Sequence, residues 1–254
     1  MTHTDVKPFA SLPLQAVNIL GLPVHKVTMD SALSAIDSFI QEGTPHHIVT
    51  ADASMMVMAR EDAELHRIIA QADMVTPDST GILWAARKFQ NPLQERVSGV
   101  VIVEKLCALS PTKGYKLYFF GAAPGVAQLA AEQMQTKYPG AQIVGTHDGF
   151  FKPEENEAIL QDIRACRPDI LCVAFGIPKQ EKWISANRET LGVPVLIGVG
   201  GTLDVLSGKT RRAPRLFQVA RLEWLWRVLS NPRKISKVML LPRFVRLVWN
   251  ASRN

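Results

Sequence analysis

Apolar runs of strand length alternate with segments of helical period along most of the chain. Runs from Val17 to Leu22, His47 to Thr50, Asp73 to Thr76, Lys116 to Phe120, Gln142 to Val144, Ile170 to Phe175 and Val195 to Val199 read as strands. Between them, Ser31 to Gln41, Glu61 to Ala70, Thr80 to Phe89, Val126 to Lys137, Glu154 to Cys166 and Gln180 to Arg188 read as helices, with Asp30 or Ser31 expected to cap the first. Strands this apolar need cover on both faces. The pattern therefore predicts an α/β fold, a Rossmann-like and mainly parallel sheet with helices on either side. After Gly208 the pattern turns helical only, so an α/β domain is expected over residues 1–210 and a helical appendage over residues 211–254.

Charge sharpens that division. From Arg211 to Asn254 the chain holds eleven Lys and Arg and one acid, Glu223, whereas the preceding 210 residues hold 18 basic and 22 acidic residues. The net charge of +6 is thus a body at −4 and an appendage at +10. Trp224, Trp226, Trp249, Phe217 and Phe244 are interleaved with the appendage's cations, beside many Leu and Val. A segment both basic and greasy suits an anionic membrane surface best, with nucleic acid second. A membrane span needs about 20 consecutive apolar residues, and the best runs fall short, being bounded by proline, polar residues or charge. With no basic-then-apolar leader at the start, a cytoplasmic protein bound peripherally to the inner face of the plasma membrane is expected. Cys107, Cys166 and Cys172 lack paired metal spacing, and two lie in or beside apolar runs, as buried free thiols in a reducing compartment would.

In open parallel sheets, ligands collect at the carboxyl ends of the strands. The segments there are Thr50–Ala51–Asp52, Pro77–Asp78–Ser79–Thr80–Gly81, Gly121–Ala122–Ala123–Pro124–Gly125, Gly176–Ile177–Pro178–Lys179–Gln180–Glu181 and Gly200–Gly201–Thr202–Leu203–Asp204. Their glycines and polar groups suit a phosphate or nucleotide. Asp78, between strand and helix, reads either as a helix N-cap or as a general base held at a strand end. The Gly121–Gly125 loop lacks the Gly-x-Gly-x-x-Gly fingerprint, which disfavours nicotinamide chemistry. His46 and His47 have no acidic partners at ligand spacing and read as structural. No His, Asp or Glu set suggests a metal site, and no Asp-x-Asp occurs that would hold a divalent ion for a nucleotide-sugar.

These residues, taken together, resemble a known family. Thr50 to Asp52, Pro77–Asp78 with Gly81, Glu95–Arg96–Val97 with Gly99, Tyr138–Pro139 leading to Gly145–Thr146 and Gly149–Phe150–Phe151, and Pro168–Asp169–Ile170–Leu171 recur at its spacing. So do Gly176 with Pro178–Lys179–Gln180–Glu181, Gly200–Gly201 with Asp204, Arg212–Ala213–Pro214, and Leu222–Glu223–Trp224 with Arg227. From about Val17 to Arg246 the chain is similar to the WecG/TagA/CpsF glycosyltransferases, bacterial enzymes that extend lipid-linked glycans.

The resemblance implies transfer of a sugar from a UDP donor to a polyprenyl-diphosphate-linked saccharide, with inversion at the anomeric carbon and without a metal or other cofactor. It makes Asp78 the general base, since a carboxylate can take the acceptor hydroxyl's proton as that oxygen attacks. It puts Thr50, Asp52, Arg96 and Gln180 around the donor sugar and Asp204 near the uracil. Arg212, Arg227 and Lys234 become the cations facing a diphosphate, the acceptor's or the leaving group's. The family usually has Asn where Asp52 stands, often Gly at Ser79 and Asp at Val101, and more often Tyr at Phe150. Because a carboxylate only accepts hydrogen bonds, Asp52 points to a neutral hexose or an N-acetylhexosamine such as N-acetylmannosamine rather than a uronate. The competing reading is a non-catalytic module that binds anionic lipid or polymer through its appendage.

Overall fold

The computed structural model describes residues 14–210 and 239–253. Six parallel strands form the central sheet: β3 (His46–Ala51), β4 (Met74–Pro77), β5 (Lys116–Gly121), β6 (Gln142–His147), β7 (Ile170–Ala174) and β8 (Val195–Gly198), in the order β4-β3-β8-β7-β5-β6. Alternation along each strand sends side chains to opposite faces. Ile48, Met74, Leu117, Phe119, Ile170, Cys172, Val195 and Ile197 face α1 (Met29–Glu42), α5 (Gly99–Lys113), α6 (Val126–Lys137) and α9 (Thr202–Leu206). On the other face, Val49 and Val75 pack with α2 (Ala53–Met58), α3 (Ala63–Ala70) and α4 (Thr80–Lys88), while Tyr118, Phe120, Leu171, Val173 and Leu196 pack with α7 (Asn156–Cys166) and α8 (Lys179–Leu191). This is the expected doubly covered parallel sheet.

The structure departs from the sequence reading in four places. The run from Val17 to Leu22 is not one strand of the main sheet but two strands of a separate antiparallel hairpin, β1 (Ala16–Ile19) and β2 (Leu22–His25). Leu20 and Gly21 turn it with φ of 55° and 92°, and the Gly21 N–H donates to Asn18 Oδ1 at 2.8 Å. Two consecutive positive φ values are what a two-residue hairpin turn needs, and a leucine there hides the turn inside an apolar run. Helix α1 is capped by Thr28, whose side chain accepts from Ser31 N–H in a reciprocal capping box, rather than by Asp30 or Ser31. Helix α2 precedes α3 where only the latter is evident from periodicity.

Helix α5 has no counterpart in the sequence reading. It opens on Gly99 and four consecutive β-branched residues, Val100 to Val103, which favour extended structure locally. Packing overrides that preference: Ile102, Val103, Leu106, Cys107 and Ser110 are buried at helical spacing against the sheet.

The last described helix, α10 (Leu240–Ala251), lies within the basic appendage and is seated on the body, against α2 and α4. Phe244 and Val248, four residues apart, are buried, and the Phe244 ring sits 6.4 Å from that of Trp84 on α4. Arg243 pairs with Glu61 at 2.5 Å. The next residue after each, Val245 and Trp249, lies about a quarter turn round the helix and is exposed. Among the described residues, no helix is long and apolar enough to cross a membrane.

Candidate active site

Adjacent strands β3 and β8 are followed by helices on opposite faces of the sheet, α2 and α9, which opens a crevice at their carboxyl ends. Thr50 lies in it. It is buried on β3, and its hydroxyl donates to Gly198 O on β8 at 2.6 Å. β4 runs beside β3, with Thr76 in register with Thr50 and Pro77 with Ala51. Asp78 follows directly, its N–H donating to Ala51 O at 2.9 Å.

The structure decides between the cap and non-cap readings of Asp78. The N-cap of α4 is Ser79, whose Oγ accepts from Ile82 N–H at 3.3 Å. The Asp78 carboxylate points elsewhere. Its Oδ2 accepts from Gly99 N–H, at the start of α5, at 3.3 Å, and its Oδ1 lies 3.8 Å from Arg96 Nε. A helix N-terminus and a guanidinium are both positive, which suits an ionised carboxylate in a half-buried position. The Asp78 side chain retains 25% exposure and Arg96 24%, so both are only partly buried.

The segment between α4 and α5 is fastened to supply these groups. Val97 N–H donates to Pro77 O at 3.0 Å, and Glu95 Oε1 accepts from Met29 N–H at 2.5 Å at the head of α1. Gly99 is wedged against the crevice wall: a Cβ there would lie 3.3 Å from Thr50 Cγ2 and 3.5 Å from Thr202 Oγ1. A side chain here would press the α5 N-terminus away from the wall by a few tenths of an ångström. The Arg-Val-x-Gly spacing thus has a steric cause that the sequence reading did not assign.

The other expected site residues differ in how open they are. Asp52 is the N-cap of α2, its Oδ1 accepting from Met55 N–H at 2.8 Å and from Ser54 Oγ at 2.6 Å. Asp and Asn cap helices about equally well, so the cap alone does not dictate a carboxylate. Gln180, at the start of α8, is only 1% exposed and bonded to Gly176, Gly200 and Glu181. Asp204 lies half-buried in the first turn of α9. Thr50, Asp52, Asp78, Arg96, Gln180 and Asp204 therefore gather at the carboxyl ends of four neighbouring strands, β4, β3, β8 and β7. Arg212, Arg227 and Lys234 lie outside the described residues.

Other features fall away from this site. Two open cavities of about 340 and 200 Å³ lie beside β6, lined by His147 with Phe150, Phe151 and Asp162 or with Gly125 and Thr146; neither includes Asp78 or its neighbours. Cys107 and Cys172 are buried free thiols and Cys166 is a half-buried one. Burial raises all three pKa values, Cys107 to about 12, so none has thiolate character. His47 is buried at the far end of β3, and desolvation, with Arg188 adding to it, lowers its pKa to about 4. It is a neutral structural residue, as expected.

Comparison with known proteins gives the same direction. The model of the glycosyl transferase WecG/TagA/CpsF family matches residues 17–254. An N-acetylglucosaminyldiphosphoundecaprenol N-acetyl-beta-D-mannosaminyltransferase of Bacillus spizizenii strain W23 is 30% identical over 237 residues, covering 91% of each chain. Enzymes of the same description from Staphylococcus aureus strains MW2 and NCTC 8325 are each 28% identical over 239 residues, covering 93% of both chains. With a family match that begins at β1 and runs through the Asp78 crevice to the end of α10, the chain belongs to the WecG/TagA/CpsF family and is a glycosyltransferase.

Proposed function

We propose that this glycosyltransferase moves a neutral hexose or an N-acetylhexosamine such as N-acetylmannosamine from a UDP donor to a polyprenyl-diphosphate-linked saccharide, in the synthesis of a bacterial cell-surface polysaccharide. The observation that carries the reading is Asp78. Its carboxylate is released from capping by Ser79, held by Gly99 N–H and Arg96, and partly exposed. In the proposed reaction the acceptor hydroxyl attacks the anomeric carbon, its proton passes to Asp78, and the bond to UDP breaks with inversion. Thr50, Asp52 and Arg96 are the candidates for the donor sugar, and Asp204 for the uracil. Arg212, Arg227 and Lys234 are proposed from the sequence to offset the charge that grows on the leaving diphosphate, work for which guanidinium groups are suited.

Peripheral attachment to an anionic membrane is part of the proposal. The related enzymes are named for an undecaprenyl-diphosphate acceptor. Around the exposed Trp249 ring, Lys88 Nζ lies 4.7 Å and Arg253 4.9 Å from the centroid, a pairing of cations with an interfacial aromatic. Each basic residue near an anionic leaflet contributes about 1 kcal/mol, so the appendage's cations suffice for residence at low salt.

The test is a panel of UDP-sugars offered with a polyprenyl-diphosphate-linked N-acetylglucosamine. Transfer from a neutral hexose or an N-acetylhexosamine, giving an inverted linkage, is expected; turnover with a UDP-uronate alone would overturn the donor assignment. Truncation before Arg211 is expected to abolish both vesicle binding and transfer, and a fully active truncated protein would refute the part given to the appendage.

A further inference from the structure

We infer that Gln180 is a positioning residue whose amide clamps the loop after β7 to the loop after β8; this rests on the donor crevice proposed above. Gln180 Oε1 accepts from Gly176 N–H at 3.1 Å and from Gly200 N–H at 2.9 Å. An amide oxygen has two lone pairs, and both are used. The Nε2 donates to Glu181 Oε1 at 2.8 Å, and the two backbone N–H donors on Oε1 fix the amide's orientation. The side chain is 1% exposed and Glu181 is fully buried. The oxygen and one of the two Nε2–H groups are thus taken up within the protein.

The surrounding backbone is shaped around this pair. A Cβ on Gly198 would stand 2.7 Å from Gln180 Nε2 and 2.8 Å from Glu181 Oε1, so the last residue of β8 makes room for them by lacking a side chain. The Gly198 carbonyl in turn takes the Thr50 hydroxyl, which links the clamp to the crevice wall. Gly176 and Gly200 both have positive φ, 77° and 55°, and each presents its N–H to the same oxygen. Gly200 leads into α9 and Asp204, and Gly176 into α8. One amide thus sets the spacing of two loops that border the crevice.

Two measurements test the clamp. In the wild-type protein without substrate, hydrogen exchange of the Gly176 and Gly200 amides should be slow, because a buried acceptor holds both. Fast exchange that slows only when a UDP-sugar is added would overturn the inference. The second uses Gln180→Glu, which keeps both acceptor bonds but sets a carboxylate against that of Glu181. Two carboxylates at this distance must share a proton, and the pair's pKa rises above that of a free carboxyl. Lys179 and Lys182 flank the pair on α8, and Lys182 is paired with Asp62 and Glu64 of α3 at 2.8 Å each.

The sign follows: the variant's stability is present when the proton is bound and is lost as pH rises through the raised pKa. Its melting temperature should fall well below wild type at about pH 8 and approach wild type at about pH 5.5. Transfer should follow the same curve, with kcat/KM down about 100-fold at the higher pH and largely recovered at the lower. Substrate-free melting equal to wild type at both pH values, with activity lost at both, would identify Gln180 as a direct sugar ligand instead. Exchange and melting need no substrate, so they stand apart from any failure of the proposed reaction.

Discussion

Gly99→Ala separates the position of a helix from the stability of the fold. The added Cβ would meet Thr50 Cγ2 at 3.3 Å and the hydroxyl oxygens of Thr50 and Thr202 at 3.5 Å. Neither threonine is free to turn away, since Thr50 Oγ1 is held to Gly198 O at 2.6 Å and Thr202 Oγ1 to Val199 O at 2.7 Å. The strain therefore falls on α5, which must back off by a few tenths of an ångström. Overpacking of this kind costs roughly 1–2 kcal/mol, while replacing a helical glycine by alanine returns up to about 1 kcal/mol. The net change in stability should be a loss of about 1 kcal/mol or less. The change at the site is larger. The contact from Gly99 N–H to Asp78 Oδ2 is already 3.3 Å long, and a few tenths more takes it outside hydrogen-bonding range. Asp78 then loses one of the groups that aim it, and misplacement of a catalytic group on this scale lowers kcat by roughly 10- to 100-fold. Urea unfolding and a transfer assay on the same preparation read the two effects. A stable variant with wild-type kcat would refute the argument that the α5 N-terminus positions the carboxylate.

Three further outcomes are expected. Ser79→Ala should lower stability by about 1 kcal/mol through loss of the α4 cap and leave kcat within a few-fold of wild type, whereas a stability-neutral result in urea unfolding would remove Ser79 from the cap. Folded His47 stays neutral down to about pH 4 while the unfolded chain takes up a proton near pH 6.5, so stability should fall as pH drops through that window. The difference in pKa corresponds to at most about 3 kcal/mol, and His47→Leu should flatten the pH dependence of urea unfolding; an unchanged slope would contradict burial of a neutral imidazole. Phe244→Ala should cost about 3–5 kcal/mol if α10 is integral to the core, as its burial against Trp84 implies, and a loss below about 1 kcal/mol would mean that α10 is only loosely seated.

Much of this was legible in the chain because it rests on local patterns. Strands such as Ile170–Ala174 and Val195–Gly198 are uniformly apolar since both faces are covered, and that uniformity is visible without a structure. The strand-end segments were legible for the same reason. What local pattern could not reveal was set by contacts distant in sequence. Helix α5 forms from residues that locally prefer strand because the sheet buries Ile102, Val103 and Leu106. The hairpin turn at Leu20 is invisible within an apolar run. Spacing alone left Asp78 between cap and base; the structure gives the cap to its neighbour Ser79 and sets the Asp78 carboxylate against Gly99, 21 residues away. Gln180 reads as a polar strand-end residue, and only its burial and its bonds to Gly176 and Gly200 reveal a clamp. The appendage reads as wholly interfacial by composition, yet Phe244 and Val248 belong to the core of the body.

The central claim is that Asp78 removes the acceptor's proton, and Asp78→Asn tests it most directly. The amide matches the carboxylate in shape and keeps an oxygen for Gly99 N–H, so folding and UDP-sugar binding, followed by melting and calorimetry, should stay near wild type. Transfer to the lipid-linked acceptor should fall by about 10²- to 10⁴-fold, the usual worth of a general base. Turnover within a few-fold of wild type, in a variant that folds and binds UDP-sugar normally, would contradict the account.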